Sequence, residues 1–155
     1  MPQAKLNFSR AEFERRLIKT RQEMQQRGLD LLIVSDPSNM NWLTGYDGWS
    51  FYVHQCVILP LEGAPIWYGR GQDAKGALRT CFMEPSDIIG YPDHYVQSPE
   101  RHPMSYLAAQ LTDRGLAKGR IGVEMDNYWF SAAAYMALHA NLPNAQLTDA
   151  TGLVN

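Results

Sequence analysis

The sequence predicts an α/β domain of three layers, a mixed and mostly buried sheet flanked by helices, and three observations predict it. Strand-length apolar runs alternate with longer stretches in which apolar residues recur every three or four positions, the order expected of packed strands and helices. The run LDLLIV at 29–34 is apolar at nearly every position, which marks a strand covered on both faces. The segments FYVHQCVILP (51–60) and PIWYG (65–69) flank LEGA, a short glycine-containing link, so one strand turns back on the other as an antiparallel hairpin.

The first helix opens at Ser9, which forms a capping box with Glu12. Phe13, Leu17, Thr20, Arg21 and Met24 follow at helical spacing as the packed stripe, and Gly28 supplies the stop. After the buried strand, DPSN (36–39) is turn and N-cap chemistry for a short helix running through Leu43. Beyond the hairpin come a helix over 73–82, a strand at DIIGY (87–91) and a helix from Pro103 to Arg114 ended by Gly115. RIGVEM (120–125) is a strand, Ser131 caps the helix AAAYMALHANL, and AQLTDA gives a last strand. Leu153 and Val154 follow with nothing downstream to bury them, so 1–150 reads as the domain and 151–155 as the start of a linker to a further one.

Composition narrows the function. With 45% hydrophobic and 19% charged residues and a net charge of -2, the chain is globular and offers no electrostatic reason to bind nucleic acid or an anionic membrane. No secretory leader or apolar run of membrane-spanning length is present, and Cys56 and Cys81 stand alone as reduced thiols, which together read as cytoplasmic.

Several motifs invite chemistry. GRGQDA, Gly69 to Ala74, matches the dinucleotide pattern G-x-G-x-x-G/A, yet it follows the return arm of a hairpin instead of opening a first βαβ unit; a nucleotide-binding module remains the reading from another class. His94 and His102 share a polar loop with Asp93 and Glu100, without the spacing of a helix-borne ligand pair, and isolated loop histidines are mostly solvated. Glu124 and Asp126 end a strong strand and are expected to meet backbone N–H groups or an arginine, and His139 is a packed or surface histidine on its helix. No nucleophile elbow, zinc-binding HExxH or P-loop occurs, so no catalytic and no metal-ligating residue is assigned, and no cofactor is expected in this chain.

The stretch NWLTGYDGWSFYVHQ (41–55) carries five large rings between two buried strands. Strand alternation from Phe51 would place Tyr52, His54 and Cys56 on one face and Phe51, Val53 and Gln55 on the other. Tyr46, Trp49, Tyr52 and His54 are therefore the candidate substrate-binding residues, their ring faces suited to a small polar or cationic ligand. The competing reading makes Trp42 and Phe51 core anchors and leaves the other rings covering an edge.

From RLIKTRQEMQQRGLDLLIVSDPSN through the L-T-G-Y motif to IGVEMD and LTDATGLVN, essentially the whole chain resembles the N-terminal domain of the creatinase/prolidase group of pita-bread hydrolases. The resemblance implies a ribonuclease H-like mixed sheet and a role without catalysis, the hydrolytic residues lying on a separate C-terminal domain. It also implies a homodimer in which the segment after L-T-G-Y reaches the partner's small-molecule substrate; Trp49, Tyr52 and His54 hold the matching positions. Where creatinase-like sequences carry a basic residue near this spot, this chain has His54. Within the group, YDGWSFYVHQ, WYGRGQDA and IGVEMDNYWFSAAAY look most like a branch that opens a cyclic amidine, with Xaa-Pro dipeptidases and aminopeptidases as the alternative. Metal use by the parent stays open, since the group holds both metal-dependent and metal-independent members.

Overall fold

The Ser9 side chain accepts a hydrogen bond from the Glu12 N–H at 3.1 Å and starts helix α1 (Arg10–Gln26). The computed structural model describes residues 3–154; Met1, Pro2 and Asn155, the last residue of the expected linker, lie outside the described residues. Only half of the expected capping box forms, because the Glu12 carboxylate turns toward Arg15 and Arg16. The buried stripe of α1 is Phe13, Arg16, Leu17, Thr20 and Met24. Arg16 is thus inside, while Arg21, expected there, reaches sideways to the Pro60 and Gly63 carbonyls.

Strand β1 (Leu31–Val34) is buried at every position, and Asp36 then caps the short helix α2 (Pro37–Thr44) through the Ser38 and Asn39 N–H groups. Strands β2 (Cys56–Pro60) and β3 (Ile66–Arg70) form the predicted hairpin. Helix α3 (Gly71–Thr80), strand β4 (Ile88–Tyr91), helix α4 (Pro103–Asp113), strand β5 (Gly119–Val123), helix α5 (Ala132–Asn141) and strand β6 (Ala145–Asp149) complete the order.

The six strands run β4-β3-β2-β1-β5-β6, and β2 alone is antiparallel to its neighbours. The sheet is mixed, as the hairpin requires. Period-two alternation sends Leu32, Val34, Val57, Leu59 and Trp67 to one face, against α1, α2 and α3. Leu31, Ile33, Cys56, Ile58 and Tyr68 go to the other, against α4 and α5. Three layers and two cores result.

Leu153 and Val154 depart from expectation. Thr151 donates to the Asp149 carboxylate through its N–H at 2.9 Å and its hydroxyl at 2.6 Å, and the Leu153 N–H bonds the Ala150 carbonyl. That turn folds the chain back, and both residues are buried as part of the first core.

Candidate functional site

Since β1, β3, β4, β5 and β6 point one way, their carboxyl ends share one edge of the sheet with the amino end of β2. The loops 45–55, 92–102 and 124–131 all emerge there, where open α/β sheets place ligands. Gly45, at φ 85°, closes α2 in the left-handed region that favours glycine and starts the first of these loops. The strand expected from Phe51 begins only at Cys56. The Val53 N–H is taken by the Ser50 hydroxyl and the His54 carbonyl accepts from the Tyr91 hydroxyl, so groups that a ladder would use are satisfied by a bend.

The four sequence-predicted residues do not form one wall. Tyr46 is 4% exposed, packs against Trp67 with ring centroids 5.2 Å apart, and donates to Gln55 Oε1, whose amide nitrogen in turn donates to Asp73. Its ring belongs to the core, and burial first, with Asp73 second, pushes its pKa up to about 12. Trp49 is 63% exposed and Tyr52 49%. Phe51, which the competing reading made a core anchor, is 78% exposed and bridges them, 6.0 Å from the Trp49 ring and 5.2 Å from that of Tyr52. Trp42 is half-buried and packs against the first core.

Tyr52 is held from below. Arg70, at the end of β3, donates to the Tyr52 hydroxyl at 3.1 Å and pairs with Asp93 at 2.9 Å, tying the aromatic loop to the 3₁₀ turn Asp93–Tyr95. His54 is half-buried and lies 4.8 Å from the His102 ring. Burial lowers the pKa of both; for His102, with His54 as the second cause, it falls to about 4. His102 Nδ1 accepts from the Met104 N–H, so this histidine is the cap of α4. His94 packs against Tyr95, ring centroids 4.7 Å apart and tilted by 35°.

Two residues escaped the sequence reading. Tyr128, 98% exposed, and Trp129 follow β5 and join Phe51, Tyr52 and His54 in lining a hollow of about 180 Å³. Trp129 also borders a broader, open hollow of about 540 Å³ with Asn41, Tyr46 and Trp49. The signal was the run NYWF at the carboxyl end of a strong strand. A hollow of about 630 Å³ between α1, α2 and the 151–154 turn shares Ser38 with the broader of these and no lining residue with the smaller.

The other motifs resolve into structure. A Cβ on Gly69 would sit 2.5 Å from the Trp67 ring, and one on Gly90 2.7 Å from the Gly71 Cα, so close packing of β3, β4 and α3 accounts for the GRGQDA glycines. Glu124 accepts from the Ser35 and Asp36 N–H groups as expected, and His139 lies exposed against Tyr135. Cys56 and Cys81 are free and buried. Among the described residues no group of three histidine, cysteine or acidic side chains is placed to hold a metal ion, and no helix is long and apolar enough to cross a membrane.

A mixed six-stranded sheet between two helical layers, with exposed rings gathered at its carboxyl edge, defines the class as a three-layer α/β domain. Residues 16–155 match the Creatinase/Prolidase N-terminal domain family, and the chain belongs to that family as its N-terminal domain. It is 62% identical over 156 residues to ectoine hydrolase from Halomonas elongata, covering 100% of this chain and 39% of that protein. The chain therefore spans about two fifths of the length of that relative. An Xaa-Pro aminopeptidase from Streptococcus pyogenes matches with a TM-score of 0.69 at 21% identity, covering 94% of this chain and 97% of that one. The creatinase/prolidase N-terminal domain of an X-Pro dipeptidase from the same organism matches with a TM-score of 0.67 at 20% identity, covering 87% and 98%. At those identities the two structures speak to the fold alone.

Proposed function

We propose that this chain is the noncatalytic half of a cytoplasmic C–N hydrolase acting on ectoine, and that its exposed rings complete the substrate pocket. The observation that carries the reading is identity to an ectoine hydrolase along the entire chain. Opening a cyclic amidine adds water at the amidine carbon and breaks a C–N bond; the attacking and proton-transferring groups are assigned to the catalytic domain that would follow, together with any metal. A homodimer brings the loop carrying Trp49, Tyr52 and His54 to that site, with Tyr46 supporting it from the core. An amidinium held against an aromatic face gains roughly 0.5 to 2 kcal/mol, whereas enzymatic rate enhancements need about 8 to 23. The contribution of these rings is positioning and exclusion of water.

The full-length protein tests this. Trp49→Ala should raise KM for ectoine with little change in Tm, and sedimentation should show a dimer; a lowered Tm with unaltered kcat/KM would assign Trp49 to the fold instead. The Xaa-Pro peptidase reading is favoured only by fold likeness at low identity. Turnover of an Xaa-Pro dipeptide in preference to ectoine would put it first.

A further inference from the structure

We infer that the hollow between loops 45–55 and 124–131 is an aromatic cage for a small organic cation, with Tyr128 and Trp129 as its second jaw. Two ring pairs line it. Phe51 and Tyr52 stand 5.2 Å apart at 60°, and Tyr128 and Trp129 stand 6.1 Å apart at 74°. Each pair is edge-to-face and so forms a corner; two corners around about 180 Å³ make a box of single-ligand size. The remaining lining includes Ser50, His54 and Ser131, and no lysine, arginine, aspartate or glutamate borders the hollow among the described residues.

That chemistry selects the ligand. Without a carboxylate the hollow has no point charge for a compact ammonium, no lysine or arginine lines it, and Arg70, 3.1 Å from the Tyr52 hydroxyl, has its charge paired with Asp93. What remains is several aromatic rings, whose faces attract a delocalised or alkylated cation such as an amidinium or a quaternary ammonium. Burial lowers the pKa of His54, half-buried beside Trp129, which favours its uncharged form. Leaving Phe51 and Tyr128 at 78% and 98% exposure wets much ring surface, which a bound cation would cover.

This inference deepens the substrate-pocket reading by assigning its cation-recognising part to two loops, one of which that reading did not use. The test is titration of the 155-residue chain with acetamidinium chloride, followed by NMR of the Trp129 indole and the Tyr128 amide, with acetamide at matched ionic strength as the neutral isostere. A saturable shift with acetamidinium and none with acetamide is expected. Tyr128→Phe should retain binding, while Tyr128→Leu, apolar but without a ring face, should weaken it about 2- to 30-fold, as should Phe51→Leu. Amide spectra of each variant check that the fold is intact. A flat response up to about 100 mM, equal responses to the cation and its isostere, or full binding by Tyr128→Leu would overturn the cage. Acetamidinium binding in a protein whose turnover ignores Trp49→Ala would sink the pocket reading and leave the cage standing.

Discussion

The Ser35 N–H donates to the Glu124 carboxylate at 2.8 Å, joining the loop after β1 to the loop after β5. The same oxygen accepts from the Asp36 N–H at 2.9 Å, and the other accepts from the Asn39 side chain at 2.6 Å. Asn127 adds a bond to the Ser35 hydroxyl at 3.0 Å. One buried carboxylate thus fixes where α2 starts and where the segment leading to Tyr128 and Trp129 departs.

Removing that acceptor leaves buried N–H groups unpaired, so Glu124→Ala should cost about 2 to 4 kcal/mol in urea unfolding, and Glu124→Gln, which keeps one carbonyl, less. Burial raises the Glu124 pKa despite these donors. The sign follows: the folded state holds this proton more tightly than the unfolded chain, so the contribution to stability declines as pH rises from the ordinary carboxylate value through the raised one. The difference between wild type and Glu124→Gln should carry that slope. A pH-independent difference would show that the carboxylate titrates alike in both states.

Arg16 is a second buried polar residue with an unusual surround. Its guanidinium donates to Glu12 and to the Trp42 carbonyl, each at 3.0 Å, and lies 4.3 Å from the Phe8 ring centroid and 5.3 Å from that of Trp42. Lysine offers neither the planar fork nor the stacking face, so Arg16→Lys should cost about 2 to 3 kcal/mol by chemical denaturation. Arg15 first and Arg16 second lower the Glu12 pKa from 4.5 to about 2. Stability from this carboxylate is present above pH 4.5 and is lost as pH falls toward 2. In Arg16→Lys the acid limb should move to higher pH, and an unmoved limb would leave Arg15 as the whole cause.

Tyr46 and Trp49 lie three residues apart and border one hollow, yet Tyr46 is buried and Trp49 exposed. Tyr46→Ala empties a core site against Trp67 and should cost about 3 to 5 kcal/mol, whereas Trp49→Ala should stay within about 0.5. Thermal unfolding of the two variants side by side checks this. Comparable losses would mean that Trp49 packs in solution as Tyr46 does here.

The fold was legible because its signals are local and redundant. LLIV is a short, continuous apolar run of strand length, the mark of a strand buried on both sides, and LEGA fixed the one reversed strand that makes the sheet mixed. What escaped depended on partners far away in sequence. Arg16 and Arg21 share the inner half of α1, and only the rings of Phe8 and Trp42 make a guanidinium welcome at the first. Phe51 looked like a strand residue because alternation ran through it, yet the bonds of Val53 to Ser50 and of Tyr91 to His54 end the ladder at Cys56. Tyr128 and Trp129 carried no helical or strand period, and became part of the site only once the sheet brought the loop after β5 to the same edge as the 45–55 loop. Leu153 and Val154 looked stranded because a turn can return a chain to its own core without leaving a periodic trace.

Arg70 is the remaining lever on the aromatic loop. It holds the Tyr52 hydroxyl with one nitrogen while a bidentate contact to Asp93, at 2.9 and 3.4 Å, fixes the guanidinium in its plane. Asp93 is largely exposed, so the pair adds little to global stability; its effect is to restrict where the Tyr52 ring can lie. Arg70→Ala in the full-length protein should therefore leave Tm nearly unchanged and, on the proposed function, raise KM for ectoine with kcat less affected. Arg70→Lys should fail to restore it, because an ammonium cannot span Asp93 and Tyr52 with fixed geometry. Tyr52→Phe, which keeps the ring and loses the tether, should show the same KM change, and combining it with Arg70→Ala should add nothing. Additive effects in that double variant would mean that Arg70 acts on substrate by a route other than Tyr52.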